Sequence, residues 1–265
     1  MLKKSILASL LVVLMVSWTA SASVQAATAS LQNENDATIT TVDELEKEIS
    51  NVDLNDAAEL SEARENILEN SDPEVLEEYG EKLQNEVTEA TNELAEKLEL
   101  TSNAENPENQ YASATTTLDD GTVLEVNVSD TALPNLLRAT TSTEKFGARS
   151  YKVESRVYHV MYPDGWICLL TFYNVGKSGL TATGTSVGGT RGLFPLSINA
   201  SSKITDKRAE KNGYDINGQG DYTLNYVGTH GIGIYVMYRT LVSTVKLNNL
   251  YTSSAKVTKS FQLYK

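Results

Sequence analysis

Tyr151-Lys152-Val153-Glu154-Ser155-Arg156-Val157-Tyr158-His159-Val160-Met161-Tyr162 is the stretch on which the fold turns. Tyr151, Val153, Val157, His159 and Met161 fall on one parity, and Lys152, Glu154, Arg156, Tyr158, Val160 and Tyr162 on the other. A period of two in β-branched and aromatic residues belongs to a strand, because successive side chains leave a pleated backbone on opposite sides. Pro163-Asp164-Gly165 predicts a turn, and Trp166 to Val175 the returning strand.

The same texture continues towards the C-terminus. Gly176-Lys177-Ser178-Gly179 turns into Leu180 to Val187, and further strands are expected near Gly192 to Ala200, Asp221 to Val227, Gly231 to Val245 and Ala255 to Leu263. Roughly seven or eight strands in this half fit an antiparallel sandwich or barrel, with the sandwich preferred. Ile232 to Val242 is nearly all apolar or aromatic, as expected of a central strand; contact with a membrane is the alternative.

Upstream the period changes. Thr41-Val42-Asp43-Glu44 has the spacing of a capping box, followed by Leu45, Ile49 and Val52 at helical steps. Asp56 can cap a second helix carrying Leu60, Ala63 and Ile67. Ser71-Asp72-Pro73-Glu74 starts a third, in which Leu76, Tyr79, Leu83, Val87, Ala90, Leu94 and Leu98 recur every three or four residues. From Glu74 to Leu100 that helix would be a rod of roughly 40 Å. Further on, Asp120-Gly121 predicts a hairpin within 115–128. The fold class is therefore α+β by segregation, an acidic helical N-terminal region followed by an all-β antiparallel, sandwich-like C-terminal domain.

Charge follows the same division. The 265 residues carry 35 acidic and 22 basic side chains, for a net charge of −13. Residues 28–145 hold 29 acids and 6 bases, whereas residues 146–265 hold 6 acids and 14 bases. Of 19 aromatic residues, 16 follow position 145. The expected organisation is a signal peptide at 1–26, a disordered stretch at 27–40, an acidic helical region at 41–100, a linker at 101–114, a hairpin and connector at 115–145, and a basic, Tyr-rich β domain at 146–265. Lys3 and Lys4, the apolar run Ile6 to Trp18 and the small residues around Ala26 form the export signal, with cleavage after Ala26. A secreted, extracellular protein of bacterial type is the expected localisation.

One cysteine, Cys168, excludes an intrachain disulfide and any multi-cysteine zinc site; it reads as a small strand-core hydrophobe. His159 and His230 belong to no catalytic signature. Gly184-Thr185-Ser186-Val187-Gly188 has the spacing of a nucleophile elbow but lacks a strand-to-helix setting, so no catalytic residue is assigned.

Two stretches suggest binding. Lys203, Lys207, Arg208 and Lys211 concentrate positive charge that can face an anionic cell-wall polymer or membrane surface. The 205–213 stretch can form one helical turn; the alternative is an exposed connection between strands. Nucleic acid is not expected as a partner of the intact chain, because its acidic half repels phosphate. Asp215, Asn217, Gln219 and Asp221, with Gly218 between them, partly copy a calcium loop, although Gln219 and Tyr226 depart from it and a turn is the preferred reading. No other cofactor is expected. The opposite charges also permit an intramolecular contact between the two halves.

Three functions stay open. The first is a secreted, non-enzymatic protein whose β domain binds a cell-envelope or extracellular surface. The second is a proprotein that releases an antimicrobial or membrane-active β domain when the linker is cut. The third is a hydrolase, which would need a cleft joining a histidine or a carboxylate pair.

Overall fold

Three capped helices open the computed structural model, which describes residues 38–54, 56–98, 101–102, 109–132, 143–160, 162–189, 196–227 and 234–265. The signal segment 1–26, the middle of the 101–114 connection and His230 lie outside them. α1 (Val42–Ser50) is capped by Thr41, whose hydroxyl accepts from the Glu44 N–H. α2 (Ala57–Asn70) begins at Asp56, which accepts from Ala58 and Glu59. α3 (Pro73–Lys97) begins at Asp72, with proline in the first turn where its missing N–H is not needed. Ile39 bonds to the backbone at Asn70 and Asp72, fastening the chain ahead of α1 to the α2–α3 junction.

Two antiparallel sheets follow, so the α+β class holds. The first contains, in spatial order, β1 (Thr101–Ser102), β2 (Gln110–Thr117), β3 (Val123–Ala132), β5 (Gly147–His159), β6 (Tyr162–Gly176), β7 (Gly179–Gly189) and β9 (Arg208–Ala209). The second runs β4 (Thr143–Lys145), β12 (Ser254–Tyr264), β11 (Ile234–Leu250), β10 (Asp215–Val227) and β8 (Leu196–Asp206). The 115–128 hairpin is thus part of the first sheet, paired to β5 along the length of β3. Its turn uses Gly121 at φ +85°, a left-handed conformation that glycine adopts without a Cβ penalty. Pro163-Asp164-Gly165 is not the turn the sequence suggests: it lies inside β6, and the reversal comes earlier, next to a register shift between Val157 and His159.

The sheets meet through their inner faces. The Thr171 and Ser243 hydroxyls are 2.5 Å apart, and the Tyr222 hydroxyl donates to the Cys168 carbonyl at 2.6 Å. Gly218 faces this contact, and a Cβ there would lie 2.1 Å from Thr171 Oγ1. A ring of buried charge closes one region of the interface. Asp130 on β3 accepts from Arg149 Nε of β5 at 3.0 Å and pairs with Lys259 of β12. Glu144 on β4 receives Arg149 Nη1 at 2.8 Å and Lys259 Nζ at 2.6 Å. Tyr173 of β6 donates to Asp130 at 2.6 Å.

α3 lies against β12, β3, β2 and β11. Its buried side is Val75, Tyr79, Leu83, Val87, Thr91 and Leu94, close to the stripe read from sequence. Asn92 both donates to the Leu263 carbonyl and accepts from the Leu263 N–H, at 3.0 and 2.9 Å. It therefore satisfies backbone groups of β12 beyond the short reach of β4, a protection that a strand edge otherwise lacks. Gln84 bonds to the Tyr238 carbonyl, and Arg239 returns a bond to the Gln84 carbonyl.

Two substitutions test this interior. Gly218→Ala is expected to cost about 1 to 3 kcal/mol by forcing the sheets apart at Thr171. Lys259→Met is expected to cost about 3 to 5 kcal/mol, since it leaves two buried carboxylates to share Arg149. Urea denaturation checks both; midpoints equal to the wild type would contradict the close approach and the closed ring respectively.

Candidate functional site

The strand period of β10 decides what the 215–221 run can do. Ile216, Gly218, Gly220 and Tyr222 face inward, leaving Asp215, Asn217, Gln219, Asp221 and Thr223 on the outer side. The run is therefore neither a turn nor a loop but the first half of a strand paired to β8 and β11. Its glycines serve the approach of the sheets: Gly218 abuts Thr171 and Gly220 abuts Tyr222 and Val187. Asp215 and Asp221 are six residues apart on an extended strand, about 20 Å, so the four proposed calcium ligands cannot close around one ion. Their polar atoms are bonded to neighbours instead. Asn217 donates to Asp215 at 3.1 Å and accepts from Thr244 at 2.6 Å, while Asp221 Oδ1 accepts from Gln219 at 2.7 Å and Thr240 at 3.0 Å. Among the described residues no group of three His, Cys, Asp or Glu side chains is arranged to hold a metal ion.

This row is the middle of a broad polar face. β8 contributes Asn199, Ser201 and Lys203, opposite Thr223, Asp221 and Gln219. β11 contributes Tyr238, Thr240, Val242 and Thr244 on the other flank. Tyr264 of β12 lies opposite Thr240. Tyr238 and Tyr264 are 62% and 44% exposed on this face. Asn199, Ser201, Asp221, Thr223, Tyr238 and Thr240 line a shallow groove of about 280 Å³. The bond from Gln219, aided by Thr240 and Lys203 against the cost of partial burial, holds the Asp221 carboxyl below the usual carboxylate range.

The basic cluster occupies an adjoining edge. β8 ends one sheet and β9 ends the other, so Lys203 in β8, Lys207 between the two strands, Arg208 in β9 and Lys211 just after it follow one another along these edges. No helical turn forms at 205–213; Ala209 is buried in β9 and Gly213 turns at φ +89°. All four cations are exposed. Lys203 pairs with Asp221 at 3.5 Å and Arg208 with Glu210 at 3.4 Å.

A histidine constellation that sequence spacing did not reveal lies beneath the helices. The Tyr79 hydroxyl of α3 is 2.6 Å from both Asp120 Oδ2 and His159 Nε2. The phenol donates to the carboxylate, so the imidazole N–H donates to the phenol oxygen. The three residues are at most 5% exposed, and Arg64 of α2 bonds the adjacent Val160 carbonyl at 3.0 Å. Such burial denies a substrate access, and the trio instead ties α3 to the β2–β3 turn and the end of β5. Burial works against the Asp120 charge, yet the bonds from Tyr79 and Thr122 outweigh it and keep the carboxyl below its ordinary range. Burial, opposed by Asp120 and reinforced by Arg64, pushes His159 down to about 4.

Two further features have plain roles. Cys168 is buried, and burial raises its thiol to about 11, which suits a core side chain and not a thiolate nucleophile. Ser186 stands within β7, without the strand-to-helix turn that a nucleophile elbow requires.

Comparison with protein-family models, with curated proteins and with solved structures finds no match.

The buried trio makes stability depend on pH. His159 has an ordinary value of 6.5 and a folded value of about 4, so between them the unfolded chain binds more protons. Its stabilising contribution is complete above about 6.5 and is lost as pH falls towards about 4. Thermal midpoints are expected to drop across that interval, and to drop less steeply in His159→Gln. A flat wild-type profile, or an unchanged slope in the variant, would contradict the assignment.

Proposed function

We propose that this is a secreted, non-enzymatic protein that binds an extracellular or cell-envelope polymer through its β half. The observation that carries the proposal is the continuous outer face of the second sheet, where hydroxyl, amide and carboxylate groups alternate with exposed Tyr238 and Tyr264. Side chains held by a paired strand form a preorganised surface, which lowers the ordering cost of binding. We read the two sheets as the layers of a sandwich, a view supported by the Thr171 to Ser243 and Tyr222 to Cys168 contacts between them. The charged stretch around Lys3 and Lys4, with the apolar run behind it, supports export.

Lys203, Lys207, Arg208 and Lys211 supply the electrostatic part of this reading. Exposed cations beside a polar face draw an anionic cell-wall polymer or membrane surface by a long-range attraction that salt screens.

A second reading is favoured by what α3 covers. Leu83 and Val87 lie over an apolar cavity of about 60 Å³ whose floor includes Val157, Trp166, Ile167 and Leu263. Cleavage between the helices and the sheets, followed by loss of the helices, would uncover that apolar surface, the property a membrane-active fragment needs. N-terminal sequencing of protein from culture medium separates the readings: chains beginning only near Ala27 would rule out processing.

Replacing Lys207, Arg208 and Lys211 together with Ala is expected to weaken retention on purified cell-wall material roughly threefold to tenfold at low ionic strength. The difference should vanish near 1 M salt, where the Debye length is about 3 Å. Equal retention of variant and wild type across the salt series would overturn the electrostatic proposal.

A further inference from the structure

The groove at Asp221 differs in chemistry from the basic edge beside it. Two rows cross it at strand spacing: Ser201, Asp221 and Thr240 lie side by side in one, and Asn199, Thr223 and Tyr238 in the next. Neighbouring strands are about 4.8 Å apart and the rows about 7 Å, dimensions comparable with a six-membered sugar ring. Its volume of about 280 Å³ is near the lower limit of small-molecule sites, about 300 Å³. β10 is paired on both sides, so its backbone cannot add a peptide strand and recognition there falls to side chains.

Those side chains select for hydroxyl groups. Both neutral donors on Asp221 are spent on Oδ1, whereas Oδ2 has Lys203 at the longer distance of 3.5 Å. An ionised carboxylate accepts up to four hydrogen bonds, so Oδ2 retains capacity for vicinal hydroxyl donors. The Asp221 carboxylate disfavours an anionic group in direct contact with Oδ2, with Lys203 offsetting part of that charge. Asn199, Ser201 and Thr223 add donors and acceptors of the neutral kind that hydroxyl groups exchange. The exposed Tyr238 ring offers an apolar platform for the C–H face of a sugar.

From this juxtaposition we propose that Asn199, Ser201, Asp221, Thr223, Tyr238 and Thr240 form a binding site for a neutral, pyranose-based glycan. The site rests on the reading of this face as a ligand surface, and assigns it a ligand class that the lysine cluster alone would not select. Neutral sugar recognition and attraction to anionic polymer are then separate contributions from adjoining parts of the β half.

The test is a printed panel of neutral hexose, N-acetylhexosamine and uronic-acid oligosaccharides probed with the full-length protein. Binding to neutral members is expected to persist near 1 M salt, where the Debye length is about 3 Å. Tyr238→Ala and Asp221→Asn should each weaken it by about tenfold, and Tyr238→Phe should leave it nearly unchanged because the platform is retained. Binding restricted to uronic-acid members, no retention of any neutral member, or wild-type binding by Tyr238→Ala would overturn the site. The Lys207, Arg208 and Lys211 triple variant separates the two ideas. Sugar binding without salt-sensitive wall retention removes only the electrostatic reading, and wall retention without sugar binding removes only the glycan site.

Discussion

Asp130, Arg149, Glu144 and Lys259 form a closed ring of two carboxylates and two cations with almost no exposure to solvent. Charge removed from water is costly unless each member is paired, and here every carboxylate faces both cations. Arg149 is held firmly protonated: burial opposes its charge, but the Asp130 and Glu144 charges outweigh that cost. The ring therefore has one satisfactory geometry, which requires β3 and β5 of the first sheet to meet β4 and β12 of the second. An apolar core could tolerate small slips between the sheets; a ring of directional ion pairs is less forgiving.

The helices extend this arrangement. α3 contributes an apolar stripe to the core, and its polar contacts fall on groups the sheets leave over: Asn92 on the Leu263 backbone, Gln84 on the Tyr238 carbonyl, and Tyr79 on Asp120 and His159. The buried bonds among Tyr79, Asp120 and His159 add specificity to apolar packing, because an alternative seat for α3 would leave them unpaired. The sign of charge changes along the sequence near residue 145, yet the ring joins Asp130 and Glu144 from the acidic side to Arg149 and Lys259 from the basic side. Part of the compositional asymmetry is thus neutralised inside the protein.

What could be read in advance was local. Thr41, Asp56 and Asp72 cap their helices because a cap depends on residues two or three positions away, and the α3 stripe depends only on helical spacing. Alternation in β5 was equally visible, and Cys168 fell in the core as its neighbours suggested. Lys259 and Asp130 are 129 residues apart in sequence, and nothing near either signals a buried pair. The grouping of Tyr79, Asp120 and His159 has no local signal for the same reason. The 215–221 loop failed differently: its residues have turn preferences, but pairing to β8 and β11 on both flanks overrode them. Pro163 and Asp164 instead fall at the register shift between β5 and β6, just after the reversal.

The 215–221 run links the interior to the surface. A glycine in a strand sacrifices side-chain packing, so two in alternate positions need a compensating use. Gly218 and Gly220 have one, since their missing side chains admit Thr171, Val187 and the Tyr222 ring. The same alternation sends Asn217, Gln219 and Asp221 outward in a regular row, with their orientation fixed by pairing to β8 and β11 and by bonds to Thr240 and Thr244. Asp221 consequently holds its carboxylate among Gln219, Thr240 and Lys203, diagonal to Tyr238, at an orientation set by the sheet. The row that resembles a cation loop in sequence is better suited to an extended hydroxyl-rich ligand, because its acceptors are spread along a surface and do not converge on a point.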